Sequence, residues 1–143
     1  MIKNERQYRI TKAQADKFAS ALGRAETSPS AGQDPLFVKA SREALQSQLA
    51  DLRAEIEEYE RLQSGEFQLV EVESFDELPA ALIRARIAAG LSQKDLGERL
   101  GMKEQQIQRY ESSDYSGASF STLSAIIKAL GVSMREDISG AAW

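Results

Sequence analysis

Glycines and capping residues cut the carboxy-terminal half of this chain into stretches too short to be stable as isolated helices. Leu78, Leu82, Ala85 and Ala89 recur at helical spacing over about 75–89, after the capping pattern Ser74-Phe-Asp-Glu77, and the stretch stops at Gly90. Ser92 opens a second stretch that runs through Leu100, and Gly101 permits a tight turn after it. A third stretch covers about 104–111, with Ile107 and Tyr110 facing inward. A fourth covers about 121–130, carries Leu123, Ile126, Ile127 and Leu130, and stops at Gly131. Ser133-Met-Arg-Glu136 repeats the capping pattern and predicts a short fifth helix. Helices shorter than about 12–15 residues are marginal in water, so these five must pack on one another. The expectation is an all-α unit of five helices over residues 75–143, with Leu96, Leu100, Ile107 and Tyr110 in its core.

The amino-terminal half follows a different rhythm. Residues 1–10 are polar and read as a loose arm. Thr11 to Gln14 fits a capping box, and Ala15, Phe18, Ala19 and Leu22 follow at helical spacing, so a helix is predicted from Thr11 to about Gly23–Thr27. Residues 28–35 are a linker by composition. A longer helix is predicted over 36–63, where Leu45, Leu49, Leu52, Ile56 and Tyr59 form a coiled-coil-like seam with Val38 in register. That seam either packs on the first helix as an antiparallel hairpin or pairs with a second copy of itself. Ser64-Gly65 breaks the helix, and residues 67–72 favour a short extended segment. Three regions result: a helical region at 1–66, a connector at 67–74 and the five-helix unit at 75–143.

Composition narrows the chemistry. The chain has no cysteine and no histidine, which removes thiolates, the commonest general base and the commonest transition-metal ligand. There is no Gly-rich phosphate loop, no GxSxG elbow and no calcium-loop spacing, so neither an enzyme nor a cofactor or metal site is expected. No apolar run approaches the length of a membrane span, and MIKNERQYRI lacks the apolar stretch of a secretory signal, so a cytoplasmic protein is expected. The net charge is −4, yet residues 78–131 hold seven Lys/Arg against five Asp/Glu. The acidic excess lies elsewhere, including Glu71, Glu73, Asp76 and Glu77.

Two short helices joined by a glycine-containing turn inside a five-helix unit suggest a helix-turn-helix. The string PAALIRARIAAG-LSQKDLGERLG-MKEQQIQRYE, followed by LSAIIKALGV, resembles the phage-repressor (Cro/XRE-type) helix-turn-helix family over residues 75–137. Gly90-Leu91-Ser92-Gln93, Leu96, Leu100-Gly101, Ile107, Arg109-Tyr110-Glu111 and Leu130-Gly131-Val132 carry the resemblance. It implies that the third helix of the unit enters the major groove of double-stranded DNA and meets base edges with its amino-terminal residues. Those positions are Lys103, Glu104, Gln105, Gln106 and Arg109. Gln105 is the first choice for a base contact, since Gln pairs bidentately with adenine, and Arg109 reads a base or holds a phosphate. Gln93 resembles a phosphate-clamping residue, with Lys94 and Lys103 as further phosphate contacts. Arg86 and Glu111 match a structural ion pair that fixes the recognition helix.

The same glutamines would suit a plain solvated helix face. The sequence also departs from the family pattern. Lys103 stands where a Ser or Thr cap is common, Glu104 would repel phosphate unless it accepts from a cytosine amino group, and Gly97 replaces the usual Ala. The loop 112–118 departs from the common Gly and Pro pattern, with no Pro and a single glycine at Gly117.

The resemblance implies a homodimer on a palindromic operator, acting as a transcriptional repressor. Either the 36–63 helix or the end of the second unit around Trp143 could supply the dimer surface. A narrower expectation is an antitoxin-like autorepressor that takes a protein partner through residues 1–66. The rival is a protein-binding adaptor that uses this fold with little DNA binding.

Overall fold

The chain turns helical well before the Thr11 capping pattern. In the computed structural model, helix α1 spans Glu5–Thr27. Asn4 Oδ1 accepts a hydrogen bond from the Gln7 amide at 2.9 Å, and Gln7 Oε1 accepts from the Lys3 amide at 2.8 Å. This cap makes helix of residues 5–10, which the polar composition assigns to a loose arm. Helix α2 spans Pro35–Gln63 and starts at Asp34, whose carboxylate accepts from the Leu36 amide at 2.9 Å. Pro35 fits the first helical position because no amide donor is needed there.

The model describes residues 1–27, 32–66, 72–135 and 139–140. Among them are six α-helices, one 3-10 turn and no strand. None of these helices is long and apolar enough to cross a membrane. Residues 28–31 of the predicted 28–35 linker and 67–71 of the predicted extended segment lie outside the described residues. The chain divides into two compact units, Met1–Glu66 and Phe67–Trp143.

In the first unit, α1 packs along α2 as an antiparallel hairpin. Tyr8 stacks on Tyr59 with ring centroids 5.1 Å apart, and its hydroxyl donates to Glu60. Ile2, Ala15, Leu49, Tyr59 and Leu62 are buried. Leu45, Leu52 and Ile56 of the predicted seam are only half-buried, because a two-helix layer covers one side of each helix. Leu36 and Phe37, at the start of α2, are 76% and 63% exposed.

The second unit opens with a 3-10 turn at Phe75–Glu77 and helix α3 at Leu78–Ala88. The predicted Ser74 box does not form. Ser74 makes no side-chain cap, and the Glu77 carboxylate accepts instead from the Glu73 amide at 3.1 Å. Leu82, Ile83, Ala85, Arg86 and Ile87 are all buried, whereas Ala89 is exposed, so α3 is central rather than one-sided. Around it lie α4 (Gln93–Leu100), α5 (Glu104–Ser112) and α6 (Phe120–Leu130). Leu96, Ile107 and Ile126 are fully buried, while Leu100 and Tyr110, both expected in the core, are half-buried. Tyr115, from the loop after α5, fills the core beside Tyr110 instead. Helix α6 ends at Gly131, and residues 132–135 are not helical, so the Ser133 cap of the expected fifth helix is absent. The rest of that helix, residues 136–138, and Trp143 lie outside the described residues.

Candidate nucleic-acid interface

Helix α4 begins with a closed capping box. Ser92 Oγ accepts from the Asp95 amide at 3.0 Å, and Asp95 Oδ2 accepts from the Ser92 amide at 2.8 Å and the Ser92 hydroxyl at 2.6 Å. The Ser92 hydroxyl and amide hold the Asp95 carboxyl below its ordinary value of 3.8. A depressed carboxylate contributes stability above its unfolded pKa and loses it as pH falls through the folded one. The protection factor of the Asp95 amide, its exchange rate relative to the intrinsic rate at each pH, is therefore expected to hold at neutral pH and to fall only below the ordinary Asp range. A protection factor that already falls above that range would contradict the box.

Gly101 closes α4 in the left-handed region at φ 67°, and the Met102 amide returns to the Gly97 carbonyl at 2.8 Å. A Cβ on Gly97 would stand 2.7 Å from the Met102 carbonyl oxygen, which is backbone and cannot swing away. Overpacking of this kind costs about 1–3 kcal/mol, against about 1 kcal/mol returned by alanine's helix propensity. Gly97→Ala is thus expected to lower the melting temperature; an equal or higher one would show that the turn relaxes freely.

Helix α5 follows without a side-chain cap, since Lys103 stands at the cap position. Its position is fixed from below. Glu111 is fully buried, and its Oε1 accepts from Arg86 Nε at 2.6 Å while its Oε2 accepts from Arg86 Nη2 at 2.8 Å. Gln93 Nε2 donates to the same Oε2 at 2.7 Å. Arg86 Nη1 donates to the Leu91 carbonyl at 2.7 Å. One carboxylate therefore joins α3, the start of α4 and the end of α5. Tyr115 stacks near-parallel to Tyr110 beside this cluster, with centroids 6.1 Å apart. Burial, reinforced by Glu111, pushes the Tyr115 phenol well above its ordinary range and keeps it neutral. To reach that position, Asp114 and Tyr115 take φ values of 50° and 58°, in the left-handed region that glycine adopts most readily.

The sequence-predicted residues separate into two sets. Lys103 is exposed at the cap of α5, Glu104, Gln105, Gln106 and Arg109 are exposed on the helix itself, and Lys94 is exposed on α4. With Ile107 and Glu111 buried, the helical rotation puts Gln105 and Arg109 together on the opposite, outward face. The Gln105 and Arg109 side chains make no hydrogen bond or ion pair among the described residues, so their donors and acceptors are available. Gln106 Nε2 donates to the Tyr110 hydroxyl at 3.3 Å, and Gln108 Nε2 donates to Glu104 Oε1 at 3.1 Å. Lys94 lies 4.0 Å from Glu98, an exposed pair of little energetic weight.

The Gln93 side chain does not join this surface. The resemblance implies a phosphate clamp there, but the residue is 4% exposed and its carboxamide donates to Glu111. The burial follows from the geometry of the ion pair, since two Arg86 donors leave a lone pair on Glu111 Oε2 that needs a further partner. Tyr115 is the residue that sequence reasoning missed; an aromatic flanked by Ser, Asp and Gly in a loop gave no signal.

Residues 82–136 match the model of a family described as helix-turn-helix. No curated protein and no solved structure matches the chain. With two short helices joined at Gly101, the second held by buried contacts and presenting a polar face, the carboxy-terminal unit is a phage-repressor-like helix-turn-helix domain, from a family of DNA-binding regulators.

Proposed function

We propose that the protein is a sequence-specific transcriptional repressor that binds a palindromic operator as a homodimer in the cytoplasm. The pairing of Gln105 with Arg109 on the outward face of α5 carries this reading. Gln matches the N6/N7 edge of adenine and Arg the O6/N7 edge of guanine, both in the major groove. Lys94 and Lys103 flank that face and supply phosphate contacts, which set register rather than sequence. Gln93 contributes its main-chain amide at the start of α4, while its side chain supports Glu111. Glu104 and Gln106 border the face. One such module buries little DNA surface, so a dimer on half-sites about one helical turn apart supplies the specificity.

The amino-terminal hairpin supports a narrower reading. Leu36 and Phe37 stand exposed at its tip, which suits a protein partner of the kind an antitoxin-like autorepressor holds.

Selection from a random DNA library tests the proposal, with the wild type run beside the Gln105→Ala, Arg109→Ala double variant. Enrichment of a palindrome by the wild type alone is the expected result. Enrichment of nothing at low salt overturns it and favours the adaptor reading. Enrichment of an unpaired half-site overturns the dimer.

A further inference from the structure

We infer that Glu104, held by Gln108, is a specificity-determining residue that selects a cytosine next to the bases read by Gln105 and Arg109. The inference rests on the DNA-reading role proposed for α5. A carboxylate on a surface that meets DNA faces repulsion from every nearby phosphate, so its presence needs a compensating donor. In the major groove only two base groups donate, the cytosine N4 amino group and the adenine N6 amino group. Adenine also presents the N7 acceptor beside its amino group, which an ionised carboxylate cannot satisfy because it has no hydrogen to give. Cytosine presents a donor alone and is the better match.

The hydrogen bonding of α5 arranges Glu104 for this task. Gln108 Nε2 donates to Glu104 Oε1 at 3.1 Å, one turn along the exposed helix. That bond occupies one carboxylate oxygen and orients the other, Oε2, which retains its acceptor capacity. It also uses a Gln108 donor, so the pair turns an acceptor-rich edge outward. Gln105 and Arg109 form the neighbouring row, rotated by about 100° around the helix, and that row is donor-rich. Two adjacent rows of opposite character fit adjacent base pairs of opposite character: a donor base for the Glu104 row, acceptor bases for the Arg109 row.

The helix-dipole role of an acid in the first turn is separable from base reading. Glu104→Gln removes the charge and keeps the size and the ability to accept. It brings an amide that pairs bidentately with adenine, so the residue choice at one half-site position is expected to shift from cytosine to adenine. Discrimination between those bases is expected to change by about tenfold or more. Non-specific affinity at low salt is expected to rise, since one repulsive charge is gone.

The measurement is library selection with the full-length wild type and Glu104→Gln, followed by titration of the selected sites. A changed base at one position, with the Gln105 and Arg109 positions unchanged, supports the inference. A wild-type site without cytosine at that position, or the same site enriched by both proteins, overturns it while leaving the repressor reading intact. If the wild type enriches no site at all, the repressor reading fails and this inference falls with it.

Discussion

Arg86→Met is expected to destabilise the carboxy-terminal unit by about 3–5 kcal/mol, the usual loss when one partner of a buried ion pair is removed. Arg86 is 2% exposed and Glu111 is fully buried, so solvent cannot take over the lost interaction. Methionine fills much of the arginine's volume, which isolates the electrostatic effect from a cavity. What remains is a buried carboxylate that has lost both guanidinium bonds, and a Leu91 carbonyl stripped of its Arg86 donor. Small domains have total stabilities near the low end of about 5–15 kcal/mol, so the unit would spend a substantial fraction of its time open. Native-state hydrogen exchange at the α3 and α5 amides measures the effect directly. Arg86→Lys should fall between the two, because an ammonium is a point charge that cannot match both carboxylate oxygens. A loss below about 1 kcal/mol for Arg86→Met would mark the pair as solvent-screened and remove it as the support of α5.

The second large effect is on binding. The Gln105→Ala, Arg109→Ala double variant is expected to lose about 2–6 kcal/mol of discrimination per recognition helix, from two bidentate pairs at about 1–3 kcal/mol each. Both side chains are exposed, and surface changes of this kind usually alter stability by less than about 0.5 kcal/mol. Fluorescence anisotropy on the selected operator reads the affinity, and a thermal melt run alongside excludes unfolding. The single variants divide the labour. If Arg109 holds a phosphate, Arg109→Ala lowers the salt dependence by about one counterion and weakens all sequences equally. If it reads a guanine, the salt dependence stays and the penalty falls on one base. Unchanged affinity in the double variant would remove α5 as the reading element.

Much of the second unit was legible because its signals are local. Ser92, Gly101 and Gly131 specify helix ends through chemistry confined to a few residues, and the structure has each of them. The Arg86–Glu111 contact spans 25 residues of sequence and was reached only through family resemblance. Gln93 shows the limit: a polar residue at a helix start reads as surface, and only the geometry of a distant carboxylate turns it inward. The start of α1 failed for a different reason. Two capping patterns compete there, Asn4 with Gln7 and Thr11 with Gln14, and the choice is made by Tyr8 packing on Tyr59 at the far end of α2. Tyr115 combines both difficulties, since its burial depends on two consecutive left-handed residues that no local preference favours.

The nine residues of α5 keep what holds the helix apart from what it shows. Ile107 and Glu111 point inward, whereas Glu104, Gln105, Gln108 and Arg109 lie outside. Heritable change at the outer four is therefore cheap, and at the inner two it is nearly closed. If α5 reads DNA as proposed, a lineage carrying this domain can drift to new target sequences one substitution at a time, with no folding crisis between steps. The same separation makes the outer four the natural positions to randomise when the domain is redirected by directed evolution.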